Sequence, residues 1–259
     1  MPTEERGIER CDVFDFLDRH VGLTVIHPGG LDATRELAEA CHLDDRTSLV
    51  DIACGKGTSA VYFAEKYGCK VVGIDTSEDL IAQAVALARK KGLERKVTFQ
   101  VGDALRLPFA DNEFDAAISQ AMLVVVADKD KAIREAVRVT KRGGYLGWLE
   151  LSWKREPTAD FMRAISDVLR ARCMMNAETF QAWEKTFRQA GVGELTVQAS
   201  DSPSSGLLGM LGSEGLVNTS RVMWKYVTDT RIRTRMSTMQ RFFREHAEYF
   251  GYGIYVTRK

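Results

Sequence analysis

Two rhythms of apolar and polar positions alternate along the middle of the chain. Short β-prone apolar runs recur at residues 49–53, 70–75, 97–101, 114–119 and 145–151. Between them lie stretches with helical spacing: 58–67, closed by Gly68; 77–91, with Leu80, Ala84, Leu87 and Ala88 on one face and Gly92 as its stop; and 130–139. Such alternation predicts right-handed βαβ crossovers and a parallel sheet. Ahead of this run, 8–20 and 31–42 read as helices separated by the turn His27-Pro28-Gly29-Gly30. After Ser152 the pattern loosens. Helices are expected at 161–173 and 178–189, the latter capped by Gly191, then a strand at 194–199 and a Pro/Ser/Gly loop at 202–206. Residues 214–249 read as amphipathic helix with Met236, Met239, Phe243 and Ala247 on one stripe, and 253–257 as a closing strand.

A parallel sheet binds ligands at the carboxyl ends of its strands, where strand order reverses. The first apolar run ends in Val50-Asp51-Ile52-Ala53-Cys54-Gly55-Lys56-Gly57-Thr58. Gly55 and Gly57 allow a tight turn and close approach to a ligand, and the helix N-terminus near Thr58 offers free N–H groups. Asp75 ends the second run, where a carboxylate takes both hydroxyls of a ribose. Asp103 follows the third, placed to accept from an exocyclic amine. A single strand-end aspartate is as readily an N-cap. Three at consecutive strand ends, beside one glycine turn, make a nucleoside pocket for an adenosine-bearing cofactor. The glycines alone leave a dinucleotide open, with Ala60 in the third position of G-x-G-x-x-G.

Composition narrows the partners. The 259 residues carry 36 Lys plus Arg against 36 Asp plus Glu, so nothing in the balance calls for nucleic acid or an anionic surface. No apolar run approaches the roughly 20 residues of a membrane span, and the charged start MPTEERGIERCDVFDF lacks an apolar signal region; the chain reads as cytoplasmic. Cys11, Cys41, Cys54, Cys69 and Cys173 are scattered without a CxxC pair, which reads as reduced thiols and no metal site.

The segments VDIACGKGTSAVYFAEKYGCKVVGIDTSEDLIAQA, VGDALRLPFADNEFDAAISQAMLVVV and VTKRGGYLGWLEL together resemble the class I S-adenosylmethionine-dependent methyltransferases of the small-molecule type, across roughly residues 25–155. The run LPFADNEFD after Asp103 favours this family over a dinucleotide enzyme. The resemblance implies a three-layer Rossmann-like α/β fold, with a seven-stranded, mostly parallel sheet, an antiparallel last strand and a helical cap. One domain would span 1–259: 1–47 as N-terminal helices, 48–155 as the cofactor core, and 156–190 with 202–250 as cap or dimerisation segments. The cofactor it implies is S-adenosyl-L-methionine, with S-adenosyl-L-homocysteine as product. By the same resemblance Asp51 and the backbone of Ala53, Gly55 and Gly57 hold the methionine end. Asp75 holds the ribose with Thr76 beside the adenine, Asp103 and Ala104 hold the adenine edge, and Gln120 lines the methionine side. The segment HPGGLDAT resembles one that closes over the cofactor, which makes His27 a candidate for the pocket.

The acceptor is not legible. In-line methyl transfer needs alignment above all, and a base only if the acceptor must lose a proton. Glu150, at the end of the fifth run with Trp148 on its side and Trp153 beyond, is a candidate to cradle an amine; pairing with Arg155 is the alternative. His246 and Tyr249 are further candidates. An arsenite-type acceptor would need converging thiolates. Residues 202–250 carry seven Lys or Arg against four acids, and read as a lid, a dimerisation element, a solvated face or a surface that reaches a lipid acceptor. A nicotinamide oxidoreductase and a non-catalytic S-adenosylmethionine-binding module are the competing readings of the whole.

Overall fold

The computed structural model describes residues 12–170, 176–190, 192–200 and 206–259. Eight strands form one sheet: β1 Ser48–Ile52, β2 Lys70–Asp75, β3 Val97–Val101, β4 Phe114–Gln120, β5 Thr140–Trp153, β6 Glu178–Thr179, β7 Leu195–Ser200 and β8 Phe250–Arg258. Their order is β3-β2-β1-β4-β5-β8-β7, with two-residue β6 bonded to β5 off this path. The first five strands run parallel. β8 is antiparallel to both its neighbours, from Tyr145↔Arg258 to Trp153↔Phe250 along β5 and from Leu195↔Thr257 to Ser200↔Tyr252 along β7. The expected seven-stranded path with an antiparallel last strand is present; β6 adds to it.

Alternate strand residues feed two cores, one on each face, as the period of two requires. Val50, Ile52, Ala117 and Trp148 belong to one. Leu49, Val71, Ala116 and Leu149 belong to the other. Helices α2 (Gly30–Ala40), α3 (Thr58–Tyr67) and α4 (Glu78–Lys90) cover the second face through Leu37, Phe63 and Ala88. Helices α5 (Lys129–Val139), α6 (Ala159–Ala164), α7 (Phe180–Gln189) and α9 (Thr230–Glu245) cover the first through Ile133, Phe161, Phe187 and Met236. The layers are therefore helix, sheet, helix. Caps fix the helix starts: the side chains of Ser77, Asp128, Thr158, Thr179 and Asp229 accept N–H groups from the first turns of α4, α5, α6, α7 and α9.

The structure departs from the periodicity where packing overrides it. β5 runs to 14 residues because β8 pairs along most of its length. Of the helix expected at 8–20, residues 8–11 lie outside the described residues; α1 (Asp12–Asp15) is continued by a π-helical turn Phe16–Val21. α6 ends early in a second π-helical turn, Ile165–Leu169. The rest of the helix expected to 173 reaches into residues outside the described set, as do Gly191 and the 202–206 loop. The long C-terminal helix is broken twice. Gly215, at φ 70° and ψ 168°, kinks α8 (Gly206–Thr228), and Asp229 separates it from α9. The buried stripe of α9 is Ile232, Met236, Met239 and Phe242; Phe243 is half-buried and Ala247 is exposed.

Candidate functional site

Strand order reverses between β1 and β4, and a cavity of about 250 Å³ opens there, at their carboxyl ends. Asp51 and Ala53 reach it from β1, Gln120 and Ala121 from β4, Gly55 and Lys56 from the intervening turn. The turn is wound tightly. Ala53, Gly55 and Gly57 all have positive φ, at 63°, 54° and 76°. The two glycines are required for different reasons. A Cβ on Gly57 would lie 2.6 Å from Phe99 and 2.8 Å from Ala84, so this residue lets the turn press on β3 and α4. A Cβ on Gly55 would meet nothing within 4 Å, so its free space belongs to the cavity.

Asp51 is 2 % exposed and its Oδ2 has no hydrogen-bond partner. Burial, and secondarily the negative charge of Asp75, push its carboxyl up to about 7. Asp75 lies behind the turn. Its Oδ2 accepts the Gly55 N–H at 3.0 Å and its Oδ1 the Ser77 N–H at 2.9 Å. Burial raises it, and these backbone donors oppose the rise. The two carboxyls are neighbours beside the glycine turn, and burial disfavours the charge of each. Thr76 is half-buried beside it. Asp103 and Ala104 do not line the cavity: Asp103 Oδ1 accepts the Leu105 N–H at 2.9 Å, and Ala104 packs on the core.

A segment running from Gly22 to His27 roofs the cavity, with Thr24, Val25, Ile26 and His27 in its lining. It is tied on both sides. From the turn, Thr58 Oγ1 donates to Thr24 O at 3.1 Å, and Lys56, ion-paired with Asp18, donates to Leu23 O. From α8, the Glu214 carboxylate accepts the N–H groups of Thr24 and Val25 at 2.8 and 3.1 Å and the Thr24 hydroxyl at 2.8 Å. Ser213 accepts the Leu31 N–H, and Asn218 donates to Gly22 O.

His27 lies 3.1 Å from Pro28 O through Nδ1 and 3.1 Å from Thr34 Oγ1 through Nε2. Thr34 Oγ1 lies 2.8 Å from Gln120 Oε1, so His27, Thr34 and Gln120 form one chain from roof to β4. The Pro28 carbonyl fixes the proton on Nδ1; the single hydroxyl proton of Thr34 goes to Gln120 Oε1, so Nε2 meets Thr34 Oγ1 without receiving a proton from it. Burial lowers the ring to about 4, so it is neutral at physiological pH.

The methyltransferase-domain family matches this chain at residues 50–147, the span that holds the glycine turn and β1 to β5 as far as Gly147. Those residues form a methyltransferase domain of the class I S-adenosylmethionine-dependent kind. Norajmaline N-methyltransferase of Rauvolfia serpentina is 34% identical over 145 residues, 52% of this chain and 50% of that protein; the chain thus spans half of that relative's length. Among solved structures, the [4+2]-cyclase SpnF is similar at TM-score 0.74 and 26% identity, over 96% of this chain and 95% of that one. A methyltransferase from Geobacter sulfurreducens in complex with S-adenosyl-L-homocysteine shares the fold at TM-score 0.68 and 20% identity, over 95% and 96%.

Glu150, His246 and Tyr249 lie outside the cavity, whereas Cys54 lines it. Glu150 is 0 % exposed, and its Oε1 accepts the N–H groups of Met122 and Leu123 at 3.2 and 3.0 Å. Burial raises its carboxyl to about 8. Trp148 is also buried and stacks on Phe187, so Glu150 holds the loop after β4 and neither residue lines the cavity. Arg155 pairs with Glu248 and covers Tyr249, and does not reach Glu150 as a partner. His246 and Tyr249 pack on Phe161 in the aromatic core. Cys41, Cys54 and Cys69 are free and buried; Cys11 and Cys173 lie outside the described residues. Among the described residues no cluster of three or more His, Cys, Asp or Glu could hold a metal, and no helix is long and apolar enough to cross a membrane.

Sequence reasoning missed Thr34, Lys56–Asp18 and Glu214. Thr34 stands in the HPGGLDAT segment and was within reach, since a helix-borne hydroxyl one turn past the glycines faces the same way as the turn. Glu214 is 190 residues from Thr24 and carries no local signal.

Proposed function

We propose that this methyltransferase moves the methyl group of S-adenosylmethionine to an amine nitrogen of a small molecule with an apolar body, in the cytoplasm. The observation that carries the donor side is Asp51: a buried carboxyl oxygen without a partner, beside Gly55, the glycine of the turn whose missing side chain leaves open space. A buried acid of this kind is completed by a cationic ammonium group. Asp51 and the backbone of Ala53, Gly55 and Gly57 would hold the methionine end and Gln120 would line it. Asp75 would take the ribose with Thr76 beside the adenine, and Asp103 with Ala104 would border the adenine edge. The bound donor supplies an electrophilic methyl on a positive sulfonium.

The chain's own work is then alignment and exclusion of water. The roof from Gly22 to His27 closes the crevice, and Phe14, Val25 and Ile26 give it an apolar wall. His27 is neutral, with Nδ1 on the Pro28 carbonyl and Nε2 against Thr34 Oγ1, so it serves as a brace for the roof. An acceptor that arrives with a free lone pair needs no deprotonation, so it asks nothing of Asp15, Asp18 or Asp51 beyond their charge. Asp15 and Asp18 at the rim favour a basic acceptor, and norajmaline N-methyltransferase is a relative whose name states a nitrogen acceptor. The domain is read as a single unit over 1–259, with 48–155 as cofactor core.

The test is a panel of apolar amines, with shape-matched phenols and carboxylic acids, incubated with methyl-labelled S-adenosylmethionine. Labelled amine and S-adenosylhomocysteine formation are expected. Transfer to phenols alone would overturn the amine reading. Displacement of the donor by NADH would overturn the donor assignment.

A further inference from the structure

We propose that the second half of α8 docks this protein on an anionic lipid surface. Gly215 swings residues 216–228 into a new direction, and the segment has two apolar faces. One packs inward through Thr219 and Val222, with Tyr226 bonded to Ser237 of α9. The other points outward. Leu216 and Val217 are each 77% exposed, Trp224 70%, Val227 62% and Met223 40%. At 100° per residue these five, with Ser220 among them, fall on one continuous arc of the helix. Single exposed apolar residues are ordinary on a protein surface, whereas a contiguous stripe marks an interaction face.

Charge decides what covers it. Between residues 216 and 244 the chain has seven Lys or Arg and one acid, Asp229, although its overall balance is zero. Asp229 is engaged in capping α9, and Arg235 is ion-paired with Asp12. Arg221, Arg231 and Arg233 form no ion pair among the described residues. Arg221 lies at the edge of the stripe, and Arg233 donates to Val227 O, which sets its guanidinium at the stripe's end. An apolar stripe with an exposed tryptophan and a basic rim is the pattern of a helix that lies in a lipid interface, where aromatic rings sit at headgroup level. A second copy of the chain fits less well, because a two-fold contact would press like-charged rims together. The face begins at Leu216, two residues after Glu214, which with Ser213 holds the roof of the cavity, so docking brings the cavity mouth close to the lipid surface.

Co-sedimentation of the full chain with vesicles tests this, comparing phosphatidylcholine alone with phosphatidylcholine mixed with phosphatidylglycerol, at low and high salt. Each basic side chain near an anionic surface contributes roughly fivefold in affinity, so a preference of about tenfold or more for the mixed vesicles is expected, shrinking with salt. The other three tryptophans, Trp148, Trp153 and Trp183, are buried, so a blue shift of fluorescence on binding reports Trp224. W224E and L216E should abolish binding while circular dichroism and S-adenosylmethionine affinity stay unchanged. Absence of vesicle binding, equal binding to neutral vesicles, or wild-type binding by W224E would overturn the proposal. A dimer by light scattering that W224E dissociates, without vesicle binding, would assign the face to a second copy and overturn it as well.

Discussion

Replacing Glu150 by glutamine isolates one buried proton. The carboxyl is fully enclosed; Oε1 accepts two backbone N–H groups and Oε2 has no partner. With its value raised from 4.5 to about 8 by burial, the group is protonated at pH 7 in the folded protein. An unfolded chain sheds that proton near pH 4.5. An acid whose folded value is raised contributes stability that is complete below the unfolded value and is lost as pH rises through the folded one. Between pH 5 and pH 8 the folded state therefore keeps a proton that the unfolded state has lost. The folding constant then falls about tenfold per pH unit, roughly a thousandfold or about 4 kcal/mol in all. Glutamine keeps the accepting oxygen and cannot titrate. Urea unfolding of both proteins from pH 5 to pH 8 should show E150Q at or below wild-type stability at pH 5 and above it at pH 8, the difference growing with pH. The Glu150→Ala variant strands both N–H groups and should cost about 1–3 kcal/mol for each at every pH. Parallel curves for wild type and E150Q would refute the assignment of a buried neutral acid.

Three further outcomes bear on the cavity. Asp75→Ala should weaken S-adenosylmethionine binding by about tenfold, about 1.4 kcal/mol, measured by calorimetry; unchanged affinity would remove Asp75 from the ribose site. Asp51 stands near 7 in the free protein, and an adjacent cation lowers it, so donor binding at pH 7 should release about half a proton. Calorimetry in buffers of different ionisation enthalpy reads this number, and D51N should bring it to zero. Glu214→Ala frees the N–H groups of Thr24 and Val25 and should raise hydrogen exchange of residues 22–27, with donor affinity reduced about fivefold; unaltered exchange would show that α8 does not hold the roof.

The cofactor half of the molecule was legible because its signals are local. The glycine turn, the strand-end acids and the helix caps each lie within a few residues of what they shape, and α3, β2 and β3 fall where the periodicity puts them. The roles of Glu150 and Trp148 were not legible, because parity gives the shared face and burial decides whether that face meets ligand or core. Here α7 lays Phe187 over Trp148 and closes it. Gly55 and Gly57 look alike in sequence, and only their neighbours separate a packing glycine from a cavity glycine. The roof was half-read. His27 was found, while its ties to Thr34 and Glu214 depend on a helix that the chain reaches only after β7.

The strand that closes the sheet has a consequence for how the molecule is made. β8 lies between β5 and β7 and is buried along nearly its whole length, yet it follows both of them in the chain. Until residues 250–258 leave the ribosome, β5 and β7 each present an open edge, the kind of surface that templates aggregation. The sheet is thus held incomplete until β8 is available, and a product truncated before residue 250 should be insoluble even though all the groups that line the cavity are already present.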